Sequence, residues 1–489
     1  VAAGEDLLTA KSRFLAPMCA SLLTGIVEGA RNDNPAAGLL GAGNAGRIRA
    51  WESKPGGKSS RLPDKMHVPR TCNRHAEGFA SGCGSMYRFR QMDTPKRFDI
   101  LIHVQPWQGM LWDPEPLIDL AVGELGATGV TLSIKAGETQ EAIGLDTAGQ
   151  ALAVRLAPGA LWQPDPGQYA STRLRPQISA TLKGRQPVAR LAAVCRNRSQ
   201  VFRLRLSVLR DAALAGRHGD AVSCNALALP AVSDLCPSNG DVIEYIRCQL
   251  LDVRSQFEPD VIEIENLTWP DRYRADRRSA DTWPTPPGAV EDGLLAICFC
   301  PSCRQQAIQA GVDAAAAVRS VRVWLMKWLE NERAYSGTIE DLLSQDAVLA
   351  EYVACQQKAL LGALQLWARS VPNLSLVVAK DPTVSPWNPS FEELAGVAGR
   401  LMVRIDPGVS AQGCEYPGRG VADDRVCLEV AIDAASPALA GGPDIVRCLT
   451  DLARGGAAGI ELENGLHVSP RRRPFIRQAI RAARRERVL

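Results

Sequence analysis

D-V-I-E-I-E-N-L-T-W, Asp260 to Trp269, reads as a strand that carries acid into a buried place. Strict alternation over Val261–Glu265 puts Glu263 and Glu265 on one face and Ile262 and Ile264 on the other. Two carboxylates on a buried face lose solvation and repel, so each requires a partner or a task. A second copy of the pattern, G-I-E-L-E-N, occupies Gly459 to Asn464. Working outward from these two, apolar strands of similar length fall at Asp99–Val104, Val130–Ile134, Phe202–Leu209, Leu374–Ala379, Leu401–Ile405 and Val426–Ala431.

Amphipathic runs lie between several of them: Pro116–Leu125, Asp241–Gln256, Ala314–Glu330, Asp346–Arg369, Phe391–Val397, Pro443–Arg454 and Pro474–Arg484. Eight strands with helical crossovers predict an α/β chain of the (β/α)8 TIM-barrel class. A doubly wound sheet would call for a phosphate loop. The G-A-G-N-A-G run near Gly41 has neither a strong strand before it nor a helix after it.

Residues 1–91 carry no sustained period and read as a poorly ordered N-terminal extension or an upstream start, with the barrel over 92–489. They hold 13 Lys and Arg against 7 Asp and Glu, so the formal charge of +3 does not describe the barrel body. No nucleic-acid partner is expected for that body, and the Arg-rich closing run Arg471–Arg487 reads as a solvated helix face. No apolar run is long enough to span a bilayer, so no membrane partner is expected. The grouping of the 14 cysteines points to thiols and a reducing, cytoplasmic setting rather than a disulfide framework. Residues 135–200 and 267–372 read as long loops, of the kind that form lids over a barrel's active face.

C-F-C-P-S-C, Cys298 to Cys303, places three thiols at metal-ligand spacing on one turn. A tetrahedral site needs a fourth, and Cys236, in Leu235-Cys236-Pro237-Ser238-Asn239, is the first candidate, with Cys224 in reserve. Further acids come from Glu429 in the seventh strand, Asp433 beyond it, Asp406 after the sixth, and Glu461 and Glu463 in the eighth. The plain alternative for Glu265 is an ion pair with Arg203, Arg205 or Arg404. Trp107, Trp112, Trp269 and Trp387 follow strands, where flat rings stack on sugar C–H faces or simply fill the core. Trp107, Trp269, Asn266 and Glu463 are the expected substrate contacts.

The run C-P-S-N, then I-E-I-E-N, then C-F-C-P-S-C-R resembles the barrel domain of family-42 glycoside hydrolases, and more closely uncharacterised barrels sharing a C-F-C-x-x-C segment. The resemblance implies zinc on Cys236, Cys298, Cys300 and Cys303, Glu265 as general acid/base and Glu429 as nucleophile. It departs from the family at Ile264, where an Asn usually precedes the acid/base. The expected function is therefore a glycoside hydrolase-like enzyme using two carboxylates and a structural zinc, acting on a carbohydrate or glycoside. A homo-oligomer is compatible with this reading. The alternative is a non-catalytic carbohydrate-binding barrel. A metal-dependent hydrolase is disfavoured by a total of 5 His.

Overall fold

The computed structural model describes residues 98–146, 150–267, 287–331, 336–379, 389–405 and 426–487. Residues 1–91, the expected extension, lie outside them, as do Trp269, Trp387 and Asp406. Eight parallel strands close into a barrel: β1 (Asp99–Val104), β2 (Gly129–Ser133), β3 (Val201–Ser207), β4 (Val261–Glu265), β5 (Leu374–Ala379), β6 (Arg400–Ile405), β7 (Cys427–Asp433) and β8 (Gly459–Glu463). Neighbours pair in chain order, and β8 closes on β1. The chain is a TIM barrel.

The crossover helices used below are α1 (Pro187–Asn197), α2 (Gly240–Phe257), α3 (Pro301–Gln309), α4 (Ala314–Asn331), α5 (Ala347–Ser370), α6 (Phe391–Val397), α7 (Gly442–Arg454) and α8 (Arg473–Glu486). Asn239 starts α2 by accepting hydrogen bonds from the amides of Asp241 and Val242 at 2.9 and 3.3 Å. Ser390 does the same for α6 through the Glu393 amide. The expected helix Pro116–Leu125 is instead a short helix, Pro114–Ile118, that runs into a π-helical turn at Asp119–Glu124.

The stretch 135–200 is not an extended loop. It holds a hairpin, Gln140–Leu145 with Ala151–Leu156, and then α1. The hairpin's second strand alternates exposed and half-buried residues, so its pattern is that of a surface ribbon. A second hairpin, Val222–Cys224 with Pro230–Leu235, precedes α2.

The core lies mainly between strands and helices. Ile100, Ile102, Leu204, Leu206, Ile262, Ile264, Ile460 and Leu462 point outward from the barrel into that layer and are at most 1% exposed. The barrel interior differs from the usual branched aliphatic filling. Its apolar part is a small separate cluster of Val377, Met402 and Ala431. Much of the remainder is polar or charged, with Thr131, Ser133 and Ser375 level with the arginines and glutamates. Arg203 and Arg205 of β3 stand beside Glu263 and Glu265 of β4, with Arg203 level with Val261 and Arg205 level with Glu263. This alternation explains why R-L-R-L and E-I-E can occupy central strands: each apolar residue faces the helices while its charged neighbour finds a partner within the barrel.

Candidate active site and metal centre

Cys236, Cys298, Cys300 and Cys303 are all buried, and their sulfurs lie within 4.8 Å of one another. Cys236 Sγ is 3.4 Å from Cys303 Sγ, 3.4 Å from Cys300 Sγ and 4.0 Å from Cys298 Sγ. A metal–sulfur distance of about 2.3 Å in a tetrahedron implies sulfurs about 3.8 Å apart, so these separations bracket the requirement. They are far beyond a disulfide bond. The surroundings fix the turn. Pro301 opens α3 directly after Cys300, and the Cys224 amide donates to Cys298 Sγ at 3.3 Å. Tyr352 of α5 donates to the Cys298 carbonyl at 2.9 Å while its ring stacks on Phe299. Cys224, the reserve ligand, thus serves through its backbone. Among the described cysteines Cys448 is disulfide-bonded, and the four of this cluster are thiols.

The carboxylates sort into levels along the barrel axis. At the C-terminal end, Arg404 Nη2 contacts Glu265 Oε2 at 3.1 Å and Glu463 Oε1 at 2.6 Å. Arg205 Nη1 reaches the same Glu463 oxygen at 2.9 Å. Burial alone would raise the pKa of Glu463, but Arg404 and Arg205 outweigh it and hold it at about 2. His103 donates or accepts at Ser133 Oγ, 2.8 Å away. Its pKa is well below the usual imidazole range, because burial and then Arg205 disfavour the cation. A neutral His103 therefore stands beside an ionised Glu463.

Both strands that deliver these glutamates end in an Asn with left-handed backbone, φ 57° at Asn266 and φ 53° at Asn464. Asn tolerates that conformation better than most residues. The turn aims the Asn266 amide at Ser207 Oγ, 2.7 Å away, and the Asn464 amide at Asp433 Oδ1, 3.0 Å away. Asn266 is thus a brace between β4 and β3.

One level down, Arg205 donates from Nε and Nη2 to Glu263 Oε2 at 2.9 and 2.7 Å and also contacts Glu461. Glu461 is fully buried, and Oε2 has no hydrogen-bond partner among the described residues. Burial, which Arg205 only partly offsets, pushes its pKa up to about 8.

The third level corrects the expectation for Glu429. β7 continues to Asp433, two residues beyond the expected end, so Glu429 lies near the start of the strand, level with Gly459 at the foot of β8. Glu429 is 1% exposed. Arg203 grips it through two parallel hydrogen bonds of 2.6 and 2.9 Å, and Arg400 adds a third. Burial would raise its pKa, yet the two guanidiniums win and keep it below the ordinary carboxylate value. Glu265 and Glu429 are therefore not brought together at the mouth. The residue that joins Glu265 there is Glu463, through Arg404.

Trp107 is also not an open platform. It is 3% exposed, packs edge-on against Trp112 and His467, and is covered by the hairpin. A Cβ at Gly144 would come within 2.8 Å of its ring, which is why glycine stands there. The sequence pattern did not single out Arg400 or Gly144. Arg400 carried no sequence signal, because it precedes the expected strand Leu401–Ile405 and its contact with Glu429 depends on the register of β6 with β7.

No family model matches the chain, and no curated protein matches it. Among solved structures, alpha-L-fucosidase isoenzyme 2 from Paenibacillus thiaminolyticus aligns with a TM-score of 0.44 at 10% identity. The match covers 79% of this chain and 49% of that one, so the chain spans about half the fucosidase's length. The PgaB (BpsB) glycoside hydrolase domain from Bordetella bronchiseptica gives 0.44 at 12% identity, over 80% of this chain and 98% of that one. A thiamine phosphate pyrophosphorylase from Pyrococcus furiosus gives 0.30 at 8% identity, over 80% and 97%. These are distant likenesses between barrels of differing chemistry, and they do not single out family 42.

Proposed function

We propose that the protein is a glycoside hydrolase-like enzyme whose two working carboxylates are Glu265 and Glu463, at the C-terminal ends of β4 and β8. The observation that carries this reading is their shared contact with one nitrogen of Arg404. Contacts of 3.1 and 2.6 Å to the same atom hold the two oxygens at most about 5.7 Å apart, within reach of the roughly 5–5.5 Å retaining spacing.

In this scheme Glu463, ionised down to about pH 2, attacks the anomeric carbon. Glu265 touches Arg404 through Oε2 alone and protonates the departing oxygen with its carboxyl. It then takes a proton from the water that releases the sugar. Arg404 positions both groups and offsets the charge that moves between them. Cys236, Cys298, Cys300 and Cys303 would hold a structural zinc, pinning α3 to the turn before α2 and supplying folding energy rather than chemistry. Four clustered thiols suit a reducing compartment, and the Cys448 disulfide is the exception to that expectation. Among the described residues no helix is long and apolar enough to cross a membrane.

A second reading, a carbohydrate-binding barrel without turnover, is favoured by one fact: both mouth carboxylates already have arginine partners. Turnover of a panel of activated aryl glycosides separates the two. The enzyme reading expects a substrate whose cleavage is lost in Glu265→Gln while binding of the sugar persists. A binding barrel gives binding in both proteins and cleavage in neither.

A further inference from the structure

Read from sequence, the Arg-rich closing helix is a solvated face on a body with no expected nucleic-acid partner; the grouping of its arginines in the structure argues against that expectation. The structure adds which of its arginines share a groove and which have partners. Arg473, Arg477, Arg481 and Arg485 recur at every fourth position of α8, so they form one row with about 6 Å of rise between members. All four line a single surface groove of about 470 Å³, together with Glu124 and Gln478. Glu124 pairs with Arg473, at 3.6 Å. Arg477, Arg481 and Arg485 are exposed and have no carboxylate partner among the described residues.

The contrast lies one groove away. Arg447 and Arg454 of α7 are each neutralised, by Asp444 at 2.6 Å and by Glu486 at 2.8 Å. That second groove, about 490 Å³, shares Gln478 with the first and is lined by Phe475. Phe475 is 43% exposed, an unusual place for a large aromatic. One side of its ring rests on Gly442, where a Cβ would approach to 2.4 Å. The apolar side of α8, with Ile476, Ala479, Ile480 and Ala483, is buried in the barrel, so this helix has no free apolar face to insert into a bilayer.

We propose that α8 and the start of α7 form a binding surface for single-stranded nucleic acid, with phosphates along the arginine row and a base stacked on Phe475. Guanidinium forks match phosphate oxygens two at a time, and a strand that crosses from the arginine groove over Gln478, which lines both grooves, would bring a base to Phe475, the combination of cationic track and aromatic ring that holds unpaired strands without sequence preference. The surface stands on the outer helical layer. It depends on neither the carboxylate pair nor the cysteine centre.

Fluorescence anisotropy of the full chain with a labelled oligo(dT) tests it. Three phosphate contacts give a logarithmic salt slope of about −2, so affinity should fall about 20-fold between about 50 and 200 mM salt. The triple variant R477E/R481E/R485E should bind at least tenfold more weakly at low salt, with unchanged circular dichroism. Phe475→Ala should cost at least about fivefold, the lower end of a stacking contribution. Absence of binding at low salt, or equal binding by the triple variant, overturns the proposal. So does retention of full affinity in Phe475→Ala together with equal competition by polygalacturonate, which would mark a general polyanion surface.

Discussion

Glu429→Gln removes one charge from the lowest level of the barrel and separates a structural acid from a catalytic one. In the native chain Glu429 is 1% exposed and accepts from Arg203 and Arg400. The substitution keeps the shape but strands Arg203, also 1% exposed, with Glu263 at 3.4 Å and Asp99 at 3.7 Å as its remaining carboxylates. Breaking a buried pair in this way costs about 3–5 kcal/mol. The partly compensating acids place the expected loss at the lower end, about 3 kcal/mol. Urea unfolding followed by tryptophan fluorescence reads it. Replacing both partners, Arg203→Met with Glu429→Leu, should restore much of the loss, because the fully buried pair leaves together and Arg400, whose side chain is 31% exposed, is left with access to water.

The pH dependence has a definite sign. The folded pKa of Glu429 is lowered, so its contribution is complete above the ordinary value of 4.5 and disappears as pH falls through the lower folded value. The variant should lack that part of the acid transition. Under conditions where it is folded, Glu429→Gln should keep its catalytic rate. Full stability together with abolished turnover would refute the structural assignment and return Glu429 to the reaction.

Purified protein should contain about one zinc per chain by elemental analysis, and Cys300→Ser should lower both metal content and thermal stability. Full metal content in Cys236→Ser would remove Cys236 from the ligand set. Glu461 has a folded pKa raised to about 8 from 4.5, so the native state holds an extra proton between those values and stability declines as pH rises through that window. Glu461→Gln, which imitates the protonated form, should flatten that decline in unfolding measurements; an unchanged slope would mean that Glu461 is not its source.

Most of the barrel was legible because strand and crossover each carry a simple period. V-I-E-I-E and G-I-E-L-E alternate without interruption, and their boundaries in the structure match the pattern. β7 was the exception that mattered. V-C-L-E-V-A-I-D alternates to its last residue, yet Asp433 resembles a loop residue, and stopping at Ala431 lifted Glu429 toward the mouth. Depth within a barrel depends on register with β6 and β8, which a single strand does not encode. The hairpin Gln140–Leu145 with Ala151–Leu156 was hidden for a different reason: it is a half-exposed surface ribbon, with Ile143 84% exposed, and not a buried barrel strand. The cysteine cluster was legible in full, because three of its members are fixed by local spacing and the fourth by a single turn.

The central claim is that Glu463, and not Glu429, completes the working pair with Glu265. The most direct measurement is mass spectrometry of peptides from protein inactivated by an activated 2-deoxy-2-fluoro glycoside, a substrate type that slows release of a covalent glycosyl intermediate. The account predicts one adduct per chain, on Glu463 in the Gly459–Asn464 peptide, absent from Glu463→Gln. An adduct on Glu429 or Asp433, or cleavage that proceeds with inverted configuration and no adduct, would contradict it.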